Sequence, residues 1–353
     1  MKRNKKIIAT SIVLGALALL SNFCFGQGPV PGAAGNPYPN MPVIAPIGER
    51  IEKHLDIIES AKGPAIDPNK GYRIQKLGKD LYMITDNALQ CMFMVYETGV
   101  VLADAPEPLA QYIPKAIAEI TNKSITHLIY SHSHADHIGG AGSLNLGKQA
   151  IIIAHEETKR LLLRAKDAAR PVPTVTFKDK YTLKVGSQTL ELSYHGNAHE
   201  PGNIFIYAPA QRTLMVVDII FPGWMPWRRL ALAQDIPGYF LQVEEINKMD
   251  WDIIVCGHVE RAGTHADVAL QLEFINDLRN TARQALKSTK FIEGLNPADK
   301  GNPWAIFDDY IDRVVIQCVN ALTPKWSTKL AGFDVYIWDQ CYTMEQSLRL
   351  DEH

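Results

Sequence analysis

The chain has 353 residues, with 36 Lys and Arg against 38 Asp and Glu, a formal net charge of −2. That balance, with no long basic run, argues against a polyanionic partner such as nucleic acid. Five cysteines are too few and too scattered for a disulfide scaffold.

Lys2, Arg3, Lys5 and Lys6 precede an apolar run from Ile7 to Leu20, shorter than the roughly 20 residues that cross a bilayer as a helix. Cys24-Phe25-Gly26 offers small residues at the minus-three and minus-one positions of a cleavage before Gln27, so residues 1–26 read as a secretory signal peptide. Phe23 before Cys24 is a poor match to a lipoprotein site. The mature protein is therefore expected to be periplasmic or secreted, with no stable membrane anchor. Export permits disulfides, and Cys318 with Cys341 is the pair to consider, because Cys91 and Cys256 lie in apolar, strand-like runs.

Residues 27–69 read as an N-terminal arm, rich at first in Gly, Pro and Asn, with a short helix expected at Ile47 to Ser60. A folded domain is expected over 70–290. Strands are predicted at Tyr72–Lys76, Leu81–Thr85, Cys91–Tyr96 and Val100–Ala103, then a helix from Leu109 to Ile120. Asp104, at the end of the fourth strand, reads either as a helix cap or as a carboxylate that hydrogen-bonds a ligand imidazole.

The next strand, around Ile125 to Tyr130, runs into Ser131-His-Ser-His-Ala-Asp-His-Ile-Gly-Gly140, which holds His132, His134, Asp136 and His137 within six residues. In an extended loop residues two apart point the same way, so His132 and His134 can converge on one cation while Asp136 and His137 turn toward a second. Imidazole and carboxylate suit zinc, which takes about four ligands, so the remaining ligands must come from elsewhere.

Downstream, Ala150–Ala154 reads as a strand and His155–Lys166 as a helix, with His155 structural or on a cleft wall. Strands follow at Thr174–Phe177, Tyr181–Lys184 and Leu190–Tyr194. The loop after them carries His195 and His199, either of which can complete the first site. Asn203–Tyr207 and Thr213–Val217 are two more strands, the second ending in Asp218, a carboxylate placed to bridge two cations. Phe221, Trp224 and Trp227 then read as a pocket wall or as core. A helix from Pro237 to Asn247 leads to a strand at Trp251–Val255, after which His258 completes the second set with Asp136 and His137. Helices are expected over Ala266–Lys287 and 303–322, and residues 291–353 form a C-terminal helical extension that packs on the body, covers the cleft or joins a homo-oligomer.

The series His132-x-His134-x-Asp136-His137, a later His, Asp218 and His258 resembles the metallo-β-lactamase fold superfamily over about residues 70–260. The resemblance implies an α/β fold, a four-layered αββα sandwich with the site at one edge. His-Glu-Pro-Gly-Asn at 199–203 is similar to the family segment carrying the third histidine, which favours His199 over His195. Asp218 is similar to the lactonase, glyoxalase-II-like and phosphodiesterase-like branches rather than to true β-lactamases. Phe221 stands where related acyl-homoserine lactonases often carry a tyrosine.

The function these readings imply is an exported hydrolase with two zinc ions per chain, iron and manganese being alternatives. It would cleave an ester, lactone or amide of a small, fairly hydrophobic molecule, with Asp136 handling the proton. β-Lactam hydrolysis, phosphodiester or sulfate ester hydrolysis, and a non-catalytic zinc-binding scaffold are the alternatives.

Overall fold

The computed structural model describes residues 53–147, 149–293 and 297–352. The expected signal peptide and most of the expected arm lie outside them. Twelve strands among the described residues form two sheets. The first runs in the order β1 (Arg73–Gly78), β2 (Leu81–Thr85), β3 (Gln90–Tyr96), β4 (Gly99–Ala103), β5 (Ile125–Ile129), β6 (Ile151–His155), β7 (Val175–Phe177). The second is β12 (Ile253–Val255), β11 (Thr213–Val216), β10 (Ile204–Ala208), β9 (Gln188–Tyr194), β8 (Lys180–Val185). β1 to β4 pair antiparallel, β4 to β7 parallel, and β12 joins β11 in parallel.

The alternation of side chains along a strand explains the layering. In β3, Met92 and Met94 enter the core between the sheets with Met83, Val101, Ile129, Leu192, Ile206 and Met215. Cys91, Phe93 and Val95 face the opposite way, onto a layer that includes Leu109, Ile113, Ile117 and Leu162. Those four belong to helices α1 (Glu107–Ala110), α2 (Ile113–Ile120) and α4 (Glu156–Ala165), while α3 (Ala135–Ile138) is a single turn between β5 and β6. The helix expected over Leu109–Ile120 is two helices, because Pro114 has no amide hydrogen for a continuous ladder and instead sits in the first turn of α2.

The later helices are α5 (Arg228–Leu232), α6 (Ile236–Lys248), α7 (His265–Ser288), α8 (Pro303–Trp326) and α9 (Phe333–Leu350). α9 lies within the expected C-terminal helical extension, although no separate helix is predicted at its residues. Its buried side includes Asp334, Gln340 and Glu345 among apolar residues, which blurs the helical hydrophobic period. Conversely, the helix expected at Ile47–Ser60 is absent where the chain is described, apart from a 3₁₀ turn at Glu59–Ala61. Leu55 and Ile57 stay exposed, so a helix there would bury no apolar face. The segment instead straps across α9, with the Leu55 amide donating to Asp334 Oδ2 at 3.0 Å and His54 Nδ1 2.8 Å from the same oxygen.

Cys318 and Cys341 form a disulfide joining α8 to α9, while Cys91 and Cys256 are free and buried. Their separation of 23 residues makes the loop-closure contribution about 3 kcal/mol. Reduction is therefore expected to move the urea midpoint down by a corresponding amount. An unchanged midpoint would mean that packing alone constrains the two helices in the unfolding transition. No helix among the described residues is long and apolar enough to cross a membrane.

Candidate metal centre

The chemistry-bearing residues leave the strands at one edge of the sandwich. β5 delivers Ser131 and His132, α3 then carries Asp136 and His137, and the loop between β9 and β10 brings His199. Asp218 follows β11 and His258 follows β12. Asp104 after β4 and Asp218 both have positive φ, 65° and 63°, as does the β-branched Val259 at 64°. Such backbone is disfavoured for these residue types, and here it turns the chain sharply at strand ends beside the cluster. Gln90 ties the sheets together at this point: its side chain donates to the Val259 and Arg261 carbonyls and accepts from the Cys256 amide.

Two sets of ligand atoms result, His132, His134, His199 and Asp218 in one, and Asp136, His137 and His258 in the other. His199 Nε2 lies 3.0 Å from His134 Nδ1, and His137 Nε2 lies 3.0 Å from His258 Nε2. Two nitrogens at tetrahedral zinc would be roughly 3.3 Å apart, so the rings already converge as ligands would. Asp218 is the hub. Its Oδ2 is 3.5 Å from His132, 3.2 Å from His137 and 3.2 Å from His199, and its Oδ1 is 3.1 Å from His258.

Three of the imidazoles are steered by a further group. His132 Nδ1 meets Ser131 Oγ at 3.0 Å, His134 Nε2 lies 3.4 Å from Glu200, and His199 Nδ1 donates to the Ala231 carbonyl at 2.5 Å. Asp104 is wholly buried, accepts from the Ser131 amide, and feels the charge of His137; its Oδ2 and His137 Nδ1 are both buried without a hydrogen-bond partner. Burial pushes the Asp104 carboxyl up to about 6, against the pull of His137. Burial, then the neighbouring His199 and His137, holds His132 well below the usual histidine range. Against the cost of burial, the charges of His137 and His199 keep Asp218 ionised. For His258, hydrogen bonds to Asp136 and Asp218 outweigh burial and raise its pKa to about 10, so a cation binding there would displace a proton.

These residues fit a divalent cation in each set. His132 Nε2 is fully buried and makes no hydrogen bond, an arrangement that is costly for a polar atom unless it donates its lone pair to a metal.

Of the two histidines in the β9–β10 loop, only His199 joins the cluster; His195 contacts Ser193 and Glu245 and stacks on Phe205. His155 caps α4 and packs on Tyr194. Phe221, Trp224 and Trp227 all line a cavity of about 700 Å³ that opens onto the ligands. Phe221 lies parallel to the His258 ring at 6.4 Å. Two residues escaped the sequence reading. Buried Glu200 accepts from the Ser133 amide and hydroxyl, fixing the loop between two ligands. Tyr336 of α9 also lines the cavity, its ring 6.3 Å from that of Trp227. Glu200 reads in sequence as an ordinary loop charge, although its place directly after a ligand is a usable signal.

Residues 90–258 match the family model described as the metallo-beta-lactamase superfamily. This segment belongs to that superfamily. Among curated relatives, the protein named 2,4-dinitroanisole O-demethylase subunit alpha, from Nocardioides sp. (strain JS1661), is 28% identical over 51% of this chain and 56% of its own. A Metallo-beta-lactamase type 2 from Bacillus cereus is 27% identical over 40% of this chain and 57% of its own. The chain thus spans a little over half the length of these relatives. A solved structure, a metallo-beta-lactamase from Pontibacter korlensis, aligns with a TM-score of 0.49 at 19% identity, covering 58% of this chain and 99% of that one. Within the superfamily match lie all seven candidate ligands, whereas Tyr336 and the rest of α7 to α9 lie beyond it.

Proposed function

We propose that the protein is an exported, metal-dependent hydrolase, with two zinc ions per chain, acting on a small uncharged ester, lactone or amide. The observation that carries this reading is that five of the seven cluster residues, His134, Asp136, His199, Asp218 and His258, line an aromatic cavity that, among the described residues, no Lys or Arg lines. An apolar, planar acyl or alkyl group would bury itself against Phe221, Trp224, Trp227 and Tyr336. A substrate carrying a carboxylate, phosphate or sulfate would find Glu260 and no Lys or Arg in the lining, leaving its charge to the metal ions alone, which counts against β-lactams, phosphodiesters and sulfate esters.

Two divalent cations, when bound, supply an acidified water and an electrophile for the scissile carbonyl. The chain's own residues do the rest. Asp136, Asp218 and the five histidines would hold the cations at one edge, and Ser131, Glu200 and Ala231 orient the rings of His132, His134 and His199. Asp136 is half exposed at the cavity floor, and hydrogen bonding from His258 holds its carboxylate below the usual range despite burial. It is ionised at neutral pH and placed to take the water proton and return it to the leaving group.

The test pairs elemental analysis of the purified protein with turnover on neutral lactones, aryl esters and amides, 2,4-dinitroanisole, a chromogenic β-lactam, a phosphodiester and an aryl sulfate. About two zincs per chain with turnover on neutral substrates is the expected result. Asp136→Ala should lose at least ~100-fold in turnover while unfolding at the wild-type temperature. Iron as the single bound metal would end the hydrolase reading, and turnover confined to the lactam would move the assignment to β-lactamase. Indifference of every substrate to Asp136→Ala would favour the scaffold. Export is tested by fractionation, with the mature protein expected to begin at Gln27 outside the cytoplasm.

A further inference from the structure

We propose that α9 is a part of the metal centre: through Gln340 it holds the left-handed turn whose Ala231 carbonyl fixes the His199 imidazole. This rests on the reading that the cluster binds a cation.

Arg229, Leu230, Ala231 and Leu232 have φ of 55°, 50°, 59° and 56°. Four successive non-glycine residues in left-handed backbone are disfavoured by the Cβ of each, and persist only where surrounding contacts impose them. Local bonds contribute, Ala231 N to Trp227 O at 2.9 Å and Ala233 N to Arg229 O at 3.1 Å. The rest comes from a helix distant in sequence. Gln340 is fully buried and spends its whole amide on this turn: Nε2 donates to the Pro226 carbonyl at 2.6 Å and the Trp227 carbonyl at 3.0 Å, and Oε1 accepts from the Leu230 amide at 2.8 Å.

What the turn delivers is a single acceptor. Ala231 O takes the hydrogen on His199 Nδ1, which leaves the Nε2 lone pair facing His134 and Asp218. The tautomer and the ring plane are thereby set. Past the turn, the Gln234 and Asp235 amides both donate to the Ala198 carbonyl, so the same segment grips the residue before the ligand. Gln340 touches neither cation nor substrate, and it acts as a positioning residue.

The experiment uses the full mature chain. Gln340→Met keeps the volume and helix propensity and removes all three hydrogen bonds. Zinc affinity is read by competition with a chromophoric chelator, and the cobalt-substituted protein gives a visible spectrum that reports ligand geometry. The expected result is about tenfold weaker binding of one of the two cations and an altered cobalt spectrum, the order of loss seen for groups that orient a ligand. Gln340→Glu keeps the acceptor for Leu230 but turns a carboxylate oxygen toward the Pro226 and Trp227 carbonyls, so it should not recover that affinity. A purely structural role would lower the unfolding temperature and leave both affinities and the spectrum at wild type, and that result overturns the proposal. Hydrogen exchange on the wild-type chain needs no variant: zinc should protect the amides of 228–233, and no change there also overturns it. Wild-type protein that takes up no cation removes the underlying reading instead; two cations bound by wild type and Gln340→Met alike removes only this one.

Discussion

Asp218→Asn is expected to cost at least ~100-fold in affinity for both cations at once and to abolish turnover. The Asp218 carboxylate reaches both ligand sets: Oδ2 is within 3.5 Å of His132, His137 and His199, and Oδ1 is 3.1 Å from His258. The amide keeps the shape but removes the charge, and its NH₂ would point a donor where a lone pair is needed. Four buried or half-buried imidazoles then share a pocket with no anion at its centre. In the metal-free protein this should destabilise the fold by about 3 kcal/mol, as when one partner of a buried ionic set is removed. Chelator competition and urea unfolding in EDTA measure the two effects separately. Two cations held by Asp218→Asn at wild-type affinity would show that the two sets are independent and that Asp218 is only a neighbour.

Gly257→Ala should act on one set alone. Gly257 precedes His258 with φ at +83°, and an added Cβ would lie 2.5 Å from Val217 Cγ1 and 3.0 Å from His137 Cε1. Both neighbours are packed against the core, so the methyl group must displace a ligand ring or the backbone that carries His258. Left-handed backbone and overpacking together cost about 2–5 kcal/mol. The cation at Asp136, His137 and His258 is expected to be lost, while the one at His132, His134 and His199 remains, so zinc content falls from about two to about one per chain. Equal loss at both sets would mean that the strain spreads through Asp218.

The candidate cluster was legible because each member is a metal-capable residue in a loop after an apolar strand, and strand ends on one edge of a sandwich meet in space. Strand positions were legible as short apolar runs such as Cys91–Tyr96, which is buried on both faces and divides its side chains between two core layers. Residues whose role depends on what they meet were not. Nothing in Arg-Arg-Leu-Ala-Leu announces a left-handed turn, since these side chains favour the opposite hand, and the cause lies on α9 at Gln340. α9 falls inside the expected helical extension, but its own bounds were not legible because the polar residues that make it useful, Asp334 to the strap at 54–55 and Gln340 to the turn, interrupt its apolar stripe. His195 and His199 were separable only by resemblance, because their difference is whether the ring stacks on Phe205 or turns toward Asp218.

The clasp that Gln90 makes between β3 and the end of β12 lies beside a ligand ring whose members come from both sheets, from His132 on the first to His258 on the second. A cation held there is therefore a removable cross-link. It closes loops of chain as a disulfide does, and most of the domain must be threaded correctly before the last ligand arrives. Occupancy then favours the completed sandwich over any partly built one, by mass action on the native state alone. The same atoms that would activate water thus also certify that both halves of the fold have closed.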